Sequence, residues 1–114
     1  MSTPPTPAPN DAIAQLADIL SEKDAKDLVQ TFFDEYDGLF RKLASGTREE
    51  QHIAAHGLKS SSRHMGLASL AQRFAVLEAR LEKPDGTVNS SDINIINAEF
   101  ERAVPPLRKY IQNK

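Results

Sequence analysis

The fold is decided by thirteen residues near the middle of the chain: His56-Gly57-Leu58-Lys59-Ser60-Ser61-Ser62-Arg63-His64-Met65-Gly66-Leu67-Ala68. At about 100° of rotation per residue, the apolar and small side chains of this region fall within an arc of roughly 140°. That arc is centred near Ser61 and consists of Ile53, Ala54, Gly57, Leu58, Ser61 and Met65. The spacing therefore predicts an amphipathic helix that turns this arc toward a core.

His56 falls about 160° from the centre of the arc, which predicts that its imidazole faces solvent. Lys59 and Ser60 follow at three and four positions, so their side chains are its neighbours on the helix surface. Gly57 costs about 1 kcal/mol relative to alanine inside a helix, and its missing side chain opens space beside His56. The polar residues that share this half of the helix are Glu49, His52, Lys59, Ser60 and Arg63.

Helical periodicity continues toward the C-terminus. Gly66 is expected to end or bend the first helix, and Ser69 to cap the next one. After the turn Lys83-Pro84-Asp85-Gly86, a last helix is expected from near Ser91 or Asp92, with a kink or break at Pro105 and Pro106. The two inward stripes are predicted to be Leu70, Phe74, Leu77 and Leu81, and then Ile93, Ile96, Phe100, Val104, Leu107 and Ile111.

Toward the N-terminus, start and stop signals separate two more helices. Thr47 followed by Glu50 three positions later is a capping-box pattern, and Gly46 before it ends a helix. Ser21 and Asp24 mark the start of that long helix, and Asn10 or Asp11 caps a short one before it. The predicted inward side chains are Ile13, Leu16, Ala17 and Leu20 in the short helix, and Leu28, Val29, Phe32, Phe33, Tyr36, Leu39, Phe40 and Leu43 in the long one.

These elements predict an all-α fold: an antiparallel four-helix bundle with a short additional N-terminal helix, over residues 11–114. Residues 1–10 hold four prolines and no hydrophobic anchor, so we expect a disordered proline-rich leader. The alternative for this segment is a proline-rich ligand of another module. His64 lies near the edge of the buried arc and is expected to be structural.

Composition excludes several classes of protein. The chain has 114 residues, a net charge of −2 and no cysteine, which argues against a general nucleic-acid binder and excludes disulfides and thiolate metal sites. No apolar run approaches the roughly 20 residues of a membrane span, and no secretion signal is evident. We therefore expect a cytoplasmic protein, and a monomer because no long heptad seam is present.

An exposed imidazole with cations beside it suits a specific chemistry. Imidazole titrates near neutrality, so much of it is a neutral nucleophile at cellular pH, and it can form covalent intermediates at phosphorus. Lys59 is placed to screen phosphoryl oxygens, with Arg63 as a longer-range contributor, and the Ser60 hydroxyl can donate a hydrogen bond to imidazole or phosphoryl.

The residues His56-Gly57-Leu58-Lys59-Ser60-Ser61, followed by Gly66, Leu70 and the pair Leu77-Glu78, resemble the signature of histidine-containing phosphotransfer (HPt) domains. In that family a histidine is followed by two residues, Lys, Gly and Ser, then by a Gly and later a Leu-Glu pair. The resemblance covers His56 to Glu82, and the flanking helices agree with it in number and length. In one departure, Ser60 stands where the family has the glycine that leaves room for a docking receiver domain.

The resemblance implies a phosphorelay protein. His56 would accept a phosphoryl group from a receiver aspartate and pass it to another, with a hybrid histidine kinase as a further partner, and Lys59 would support the phosphorylated imidazole. We expect His52, Gly57 and Arg63 to contact the partner. No Gly-rich nucleotide loop is present, so no autonomous kinase activity is expected, and any Mg²⁺ would belong to the receiver.

Two other functions stay open at this point. His52 and His56 are spaced i, i+4, and Glu49 lies one turn before His52, so the three could ligate a metal from one helix face. The glutamate that zinc peptidases carry after the first histidine is missing, which argues against a zinc hydrolase. The other alternative is a non-catalytic helical adaptor.

Overall fold

The computed structural model describes residues 7–112, which form six helices and no strand, so the predicted all-α class is confirmed. Residues 1–6 of the predicted leader lie outside the described residues, and residues 7–10 precede the first helix without regular structure. The helices are α1 Asp11–Ile19, α2 Glu22–Ser45, α3 Arg48–His64, α4 Ala68–Leu81, α5 Ser90–Ala103 and α6 Pro105–Gln112.

Side-chain caps start the helices where the sequence indicated. The Asn10 carboxamide accepts from the backbone N–H of Ile13 and so caps α1. The Thr47 hydroxyl accepts from the N–H of Glu50, and the Glu50 carboxylate accepts from the N–H of Thr47, which completes the predicted capping box of α3. Each cap satisfies a backbone donor that has no partner within the helix.

Two helix starts differ from the prediction. Ser69 does not cap α4: the helix begins at Ala68, and its N-cap residue Leu67 makes no side-chain cap. The N–H of Leu67 instead bonds the carbonyl of Ser62 across a three-residue connection, so the turn itself fixes the chain there. The last helical region begins at Ser90, slightly before the expected Ser91 or Asp92, because Asn89 forms a capping box with Asp92.

Glycine and proline end the helices. Gly66 follows α3 with φ of 76°, a left-handed conformation that is costly for residues with a Cβ. The chain breaks again between α5 and α6 beside Pro105, as the proline pair predicted. The predicted last helix is therefore two helices, and α6 packs against α2 and α5.

The core is built around α3, which packs against α2 on one side and α4 on the other. From α2, Phe32 and Tyr36 are buried and reach Phe100 of α5, with the Tyr36 and Phe100 ring centroids 4.0 Å apart. The predicted aromatic stripe of α2 is thus core. Fully buried aliphatic and aromatic side chains come from every helix and include Ile13, Val29, Leu43, Leu58, Leu70, Phe74, Ile96 and Leu107.

The buried side of α3 is rotated relative to the prediction. Ile53 is 61% exposed, whereas Ala55 and Ser62 are fully buried. The reason is that α3 is covered by two neighbouring helices, which centres its buried side nearer Leu58 than Ser61. His64 is exposed, so the expectation that it is structural is wrong.

Two leucines that were expected to face inward are also partly exposed: Leu20 at 50% and Leu28 at 39%. Leu20 follows the last residue of α1, where no helix covers it, and Leu28 lines an open groove. Within residues 7–112, no helix is both long enough and apolar enough to cross a membrane.

Candidate functional site

The imidazole of His56 projects from α3 on the side opposite the core. Its side chain is 66% exposed, while Leu58, two residues on, is fully buried. The predicted orientation of His56 is therefore confirmed. Since rotation along a helix is fixed by residue spacing, the buried side of α3 sets the direction in which this side chain leaves the helix.

A carboxylate from α4 holds the ring from one side. Glu78 accepts a hydrogen bond from His56, with Nδ1 and Oε2 2.6 Å apart, and its other oxygen, Oε1, accepts from the ammonium of Lys59. Glu78 itself is only 11% exposed at its side chain. The three residues form a connected unit in which one buried carboxylate joins two groups of α3.

The charge of Glu78 determines which ring nitrogen carries the proton. The hydrogen bond from Lys59 lowers the pKa of Glu78, burial opposes this shift, and the bond to His56 adds to it. An ionised carboxylate can only accept, so Nδ1 of His56 must carry the hydrogen. In the neutral ring the lone pair is then on Nε2, which points away from Glu78 across the ring and bonds no described residue.

The pairing between α3 and α4 continues one turn earlier. Nε2 of His52 lies 3.6 Å from Oε1 of Glu82, and the imidazole of His52 is partly covered. His52, which was expected to contact a partner, is thus directed at α4. Together His52, His56 and Lys59 form a stripe along α3 whose partners are carboxylates of α4.

The metal site expected from Glu49, His52 and His56 does not form, because His52 and His56 pair with different carboxylates of α4. In the part of the chain that the structure describes, the one group with metal-ligand proximity is His52, Glu78 and Glu82, whose ligand atoms lie within 4.8 Å of one another. Glu78 in that group already binds the Lys59 ammonium, which competes with a cation.

The remaining predicted site residues surround the ring without bonding it. Ser60 is half-buried and forms no hydrogen bond with any described residue, so a bond from Ser60 to the imidazole is absent here, and one to a phosphoryl group stays a prediction. Arg63 is exposed and forms no ion pair within residues 7–112. Gly57 is half-buried and lies beside α2.

Glu78 is the site residue that the sequence analysis did not assign a role. A signal for it exists, because Glu78 lies four residues after Phe74 and three before Leu81, both of which are on the apolar stripe of α4. A carboxylate on a buried stripe needs a partner, since burial of an unpaired charge is costly. The sequence does not say that the partner lies on α3.

The arrangement can perform nucleophilic chemistry at one atom. Nε2 of His56 is exposed and carries a lone pair, and the hydrogen bond at Nδ1 fixes the ring and stabilises positive charge on it after attack. The Lys59 ammonium lies one helical turn away, where it can stabilise an anionic group on the ring.

Comparison with known proteins agrees with this geometry. The family model described as Hpt domain matches residues 27–105, which contain α3, α4 and both sides of the His56 site. No match was found among curated proteins or among solved structures. Hpt domains are four-helix bundles that carry out histidine phosphotransfer in phosphorelays and interact there with receiver domains and histidine kinases. The match spans well over half of the chain, which therefore belongs to the Hpt domain family.

Proposed function

We propose that His56 is the phosphoryl-accepting residue, that it receives the group from an aspartyl phosphate of a receiver domain and that it passes the group to an aspartate of a second receiver. One observation supports this most strongly: Nδ1 of His56 is bonded to Glu78 while the ring is 66% exposed, which leaves Nε2 free for attack.

In the transfer step, the lone pair of Nε2 attacks phosphorus and forms the N–P bond. The bond between phosphorus and the aspartyl oxygen breaks, and the electron pair remains on the aspartate as a carboxylate. No proton needs to leave Nε2, because the neutral ring carries its hydrogen on Nδ1. The positive charge that the ring gains is balanced by Glu78, which accepts the Nδ1 hydrogen bond.

The cations near the ring have graded roles in this proposal. Lys59 stabilises the phosphoryl oxygens because its ammonium is held beside the ring by Glu78, and Arg63 contributes at longer range as an exposed charge. Ser60 donates a hydrogen bond to the phosphoryl group. We place the Mg²⁺ of the reaction on the partner receiver, where the phosphorylated aspartate lies.

The test is direct labelling. Incubation with a phosphorylated receiver domain and Mg²⁺ is expected to place phosphate on the protein in a form that is stable in base and lost in acid. The variant His56→Gln should take up no label. His64→Gln is the matched control for loss of a histidine on the same helix, and it should still carry acid-labile phosphate, because His56 is intact. Equal labelling of His56→Gln would show that the assignment is wrong.

The same variant separates a phosphotransfer protein from a helical adaptor that acts by binding alone. An adaptor predicts that signalling survives His56→Gln, whereas the proposed transfer predicts that it stops. The cytoplasmic location and the monomeric state remain predictions from composition.

A further inference from the structure

We propose that Gly57 is a specificity-determining residue of the phosphotransfer reaction: it lets the receiver domain approach His56 closely from the side of α2. This inference rests on the proposed function, and it concerns a position different from Ser60, which replaces the usual family glycine. The two sides of the His56 imidazole differ in charge and in the size of the side chains that surround it.

The side toward α4 is occupied. His52, His56 and Lys59 lie on it, and all three pair with Glu78 or Glu82. A partner that docked over this side would have to displace those pairs. Because Nδ1 is bonded to Glu78, the reactive Nε2 is directed away from α4.

The side toward α2 carries small or apolar side chains next to His56. Ile53, Gly57 and Ser60 follow one another there at helical spacing, directly beside the stripe that holds His56. Ile53 is 61% exposed, although it is a large aliphatic side chain. Ser60 is half-buried and bonds no described residue. This side therefore offers a nearly flat surface with one apolar side chain next to the reactive nitrogen.

Folding does not explain the glycine at position 57. A Cβ there would have Leu39 Cδ1 as its nearest neighbour, at an ordinary contact distance of 3.7 Å. The backbone at Gly57 has no positive φ, and alanine at this position would favour the helix by about 1 kcal/mol. Since the bundle would accept a side chain, the reason for its absence lies at the surface, where a partner must bring phosphorus to bonding distance of Nε2.

The side toward α2 also carries a groove, between α2 and α3, that suits an apolar partner surface. Leu28 and Thr31 of α2 and Ser61 and His64 of α3 contribute to its walls, and its volume is about 330 Å³. The occupant that we infer is a receiver domain whose surface beside the phosphorylated aspartate is apolar. The groove begins one helical turn from Gly57, since Ser61 follows it by four residues, and the same partner must reach Nε2 of His56.

The experiment compares two phosphoryl donors on the full chain. One donor is the phosphorylated receiver that labels His56, and the other is phosphoramidate, a small molecule that needs no docking surface. The labelling rate with the receiver is divided by the labelling rate with phosphoramidate, and this ratio is measured for the wild type, Gly57→Ala and Gly57→Leu. We expect the ratio to fall by about tenfold for alanine and further for leucine, because close approach of reacting groups is steeply distance-dependent.

Gly38→Ala is the matched control, because Gly38 is an exposed glycine of α2 with open space around it. It should gain helix stability in the same way and keep the wild-type ratio. A Gly57→Ala ratio equal to that of the wild type would overturn the inference while leaving His56 as the acceptor. Failure of the receiver to label the wild type would overturn the proposed function and the inference together.

Discussion

Among single residues, Glu78 connects the most groups of the site. It is buried on α4, yet its two oxygens accept from His56 and Lys59 of α3. The exposure of His56 and its neighbour Lys59 could be predicted from spacing within one helix. The third member could not, because spacing fixes where residues lie around one helix and leaves open which neighbouring helix meets them.

The variant Glu78→Gln keeps the shape of the side chain and removes its charge. In the folded protein the pKa of Glu78 is lowered, chiefly by the hydrogen bond from Lys59, so the ionised carboxylate stabilises the fold. This contribution is complete above the unfolded-state pKa of the carboxyl and is lost as the pH falls through the lower folded-state value. The wild type should therefore be more stable than Glu78→Gln near neutral pH. The difference should hold down to about pH 4.3, the ordinary glutamate pKa, and shrink as the pH falls from there to about 3.

Urea denaturation of both proteins across this pH range measures the difference. Glu82→Gln serves as the control, since Glu82 is largely exposed and pairs only loosely with His52. A difference between wild type and Glu78→Gln that stays constant with pH would contradict the ion pair. We also expect phosphoryl transfer to the Glu78→Gln protein to slow by about tenfold, because the ring loses the partner that fixes its tautomer.

Ser62 presents the opposite case, a buried polar group that lacks a partner. Its side chain is fully buried, and its hydroxyl forms no hydrogen bond among the described residues. Ser62→Ala should raise the free energy of unfolding by about 1 kcal/mol, since it removes an unsatisfied hydroxyl and improves helix propensity. Ser61→Ala is the control, because the Ser61 hydroxyl donates to the carbonyl of Leu58. Thermal unfolding measures both, and a loss of stability in Ser62→Ala would contradict the assignment.

For whole helices, the ends were easier to predict than the faces. The caps at Asn10, Ser21 and Thr47 depend on residues within three positions of each other, so local sequence is enough to find them. The buried face of α3 depends on how α2 and α4 pack against it, which residue spacing within α3 does not give, and for that reason the predicted burial of Ile53 was wrong. Ser69 failed as a cap because the connection before α4 is closed by backbone bonds instead.

The junction of α3 with α1 depends on Gly66. The Asn10 amide donates to the carbonyl of Met65, and a Cβ on Gly66 would come within 2.5 Å of the Asn10 side chain. The left-handed φ of Gly66 adds a cost of about 1–2 kcal/mol for any other residue. Gly66→Ala should therefore lower the free energy of unfolding by at least that amount.

A double-mutant cycle with Asn10→Ala separates the two costs, because this second change removes the clash and leaves the backbone strain. In that background Gly66→Ala should cost less than it does in the wild type, as urea denaturation would measure. Equal costs in both backgrounds would show that Asn10 and Gly66 do not interact.

At the level of the whole molecule, part of the core lies outside the span that matches the family. Residues 27–105 match, yet Ile13 of α1 and Leu107 and Tyr110 of α6 are buried in the same core. The periodic stripe predicted Leu107 correctly. It did not include Tyr110, which lies over the start of α2 with the Lys26 ammonium 5.3 Å from its ring centroid.

Leu107→Ala tests whether α6 is part of the folding unit. Its side chain is 1% exposed, so truncation should cost about 2–5 kcal/mol and lower the midpoint of thermal unfolding. Labelling at His56 should persist below that midpoint, because α6 packs on α2 and α5, whereas the site is formed by α3 and α4. Lys109→Ala is an exposed control on the same helix. A Leu107→Ala protein as stable as the wild type would show that α6 contributes little.

The engagement of the Lys59 ammonium by Glu78 has an energetic consequence for the proposed relay. Before transfer the ammonium already has an anionic partner, so an arriving phosphoryl group shares the ammonium with Glu78 instead of meeting an unpaired cation. The electrostatic stabilisation that Lys59 gives to the phosphoryl group is then smaller than an unpaired ammonium would give, because part of its charge is already balanced by Glu78. A weakly stabilised phosphohistidine gives up its phosphoryl group readily, which favours onward transfer over a long-lived phosphorylated state.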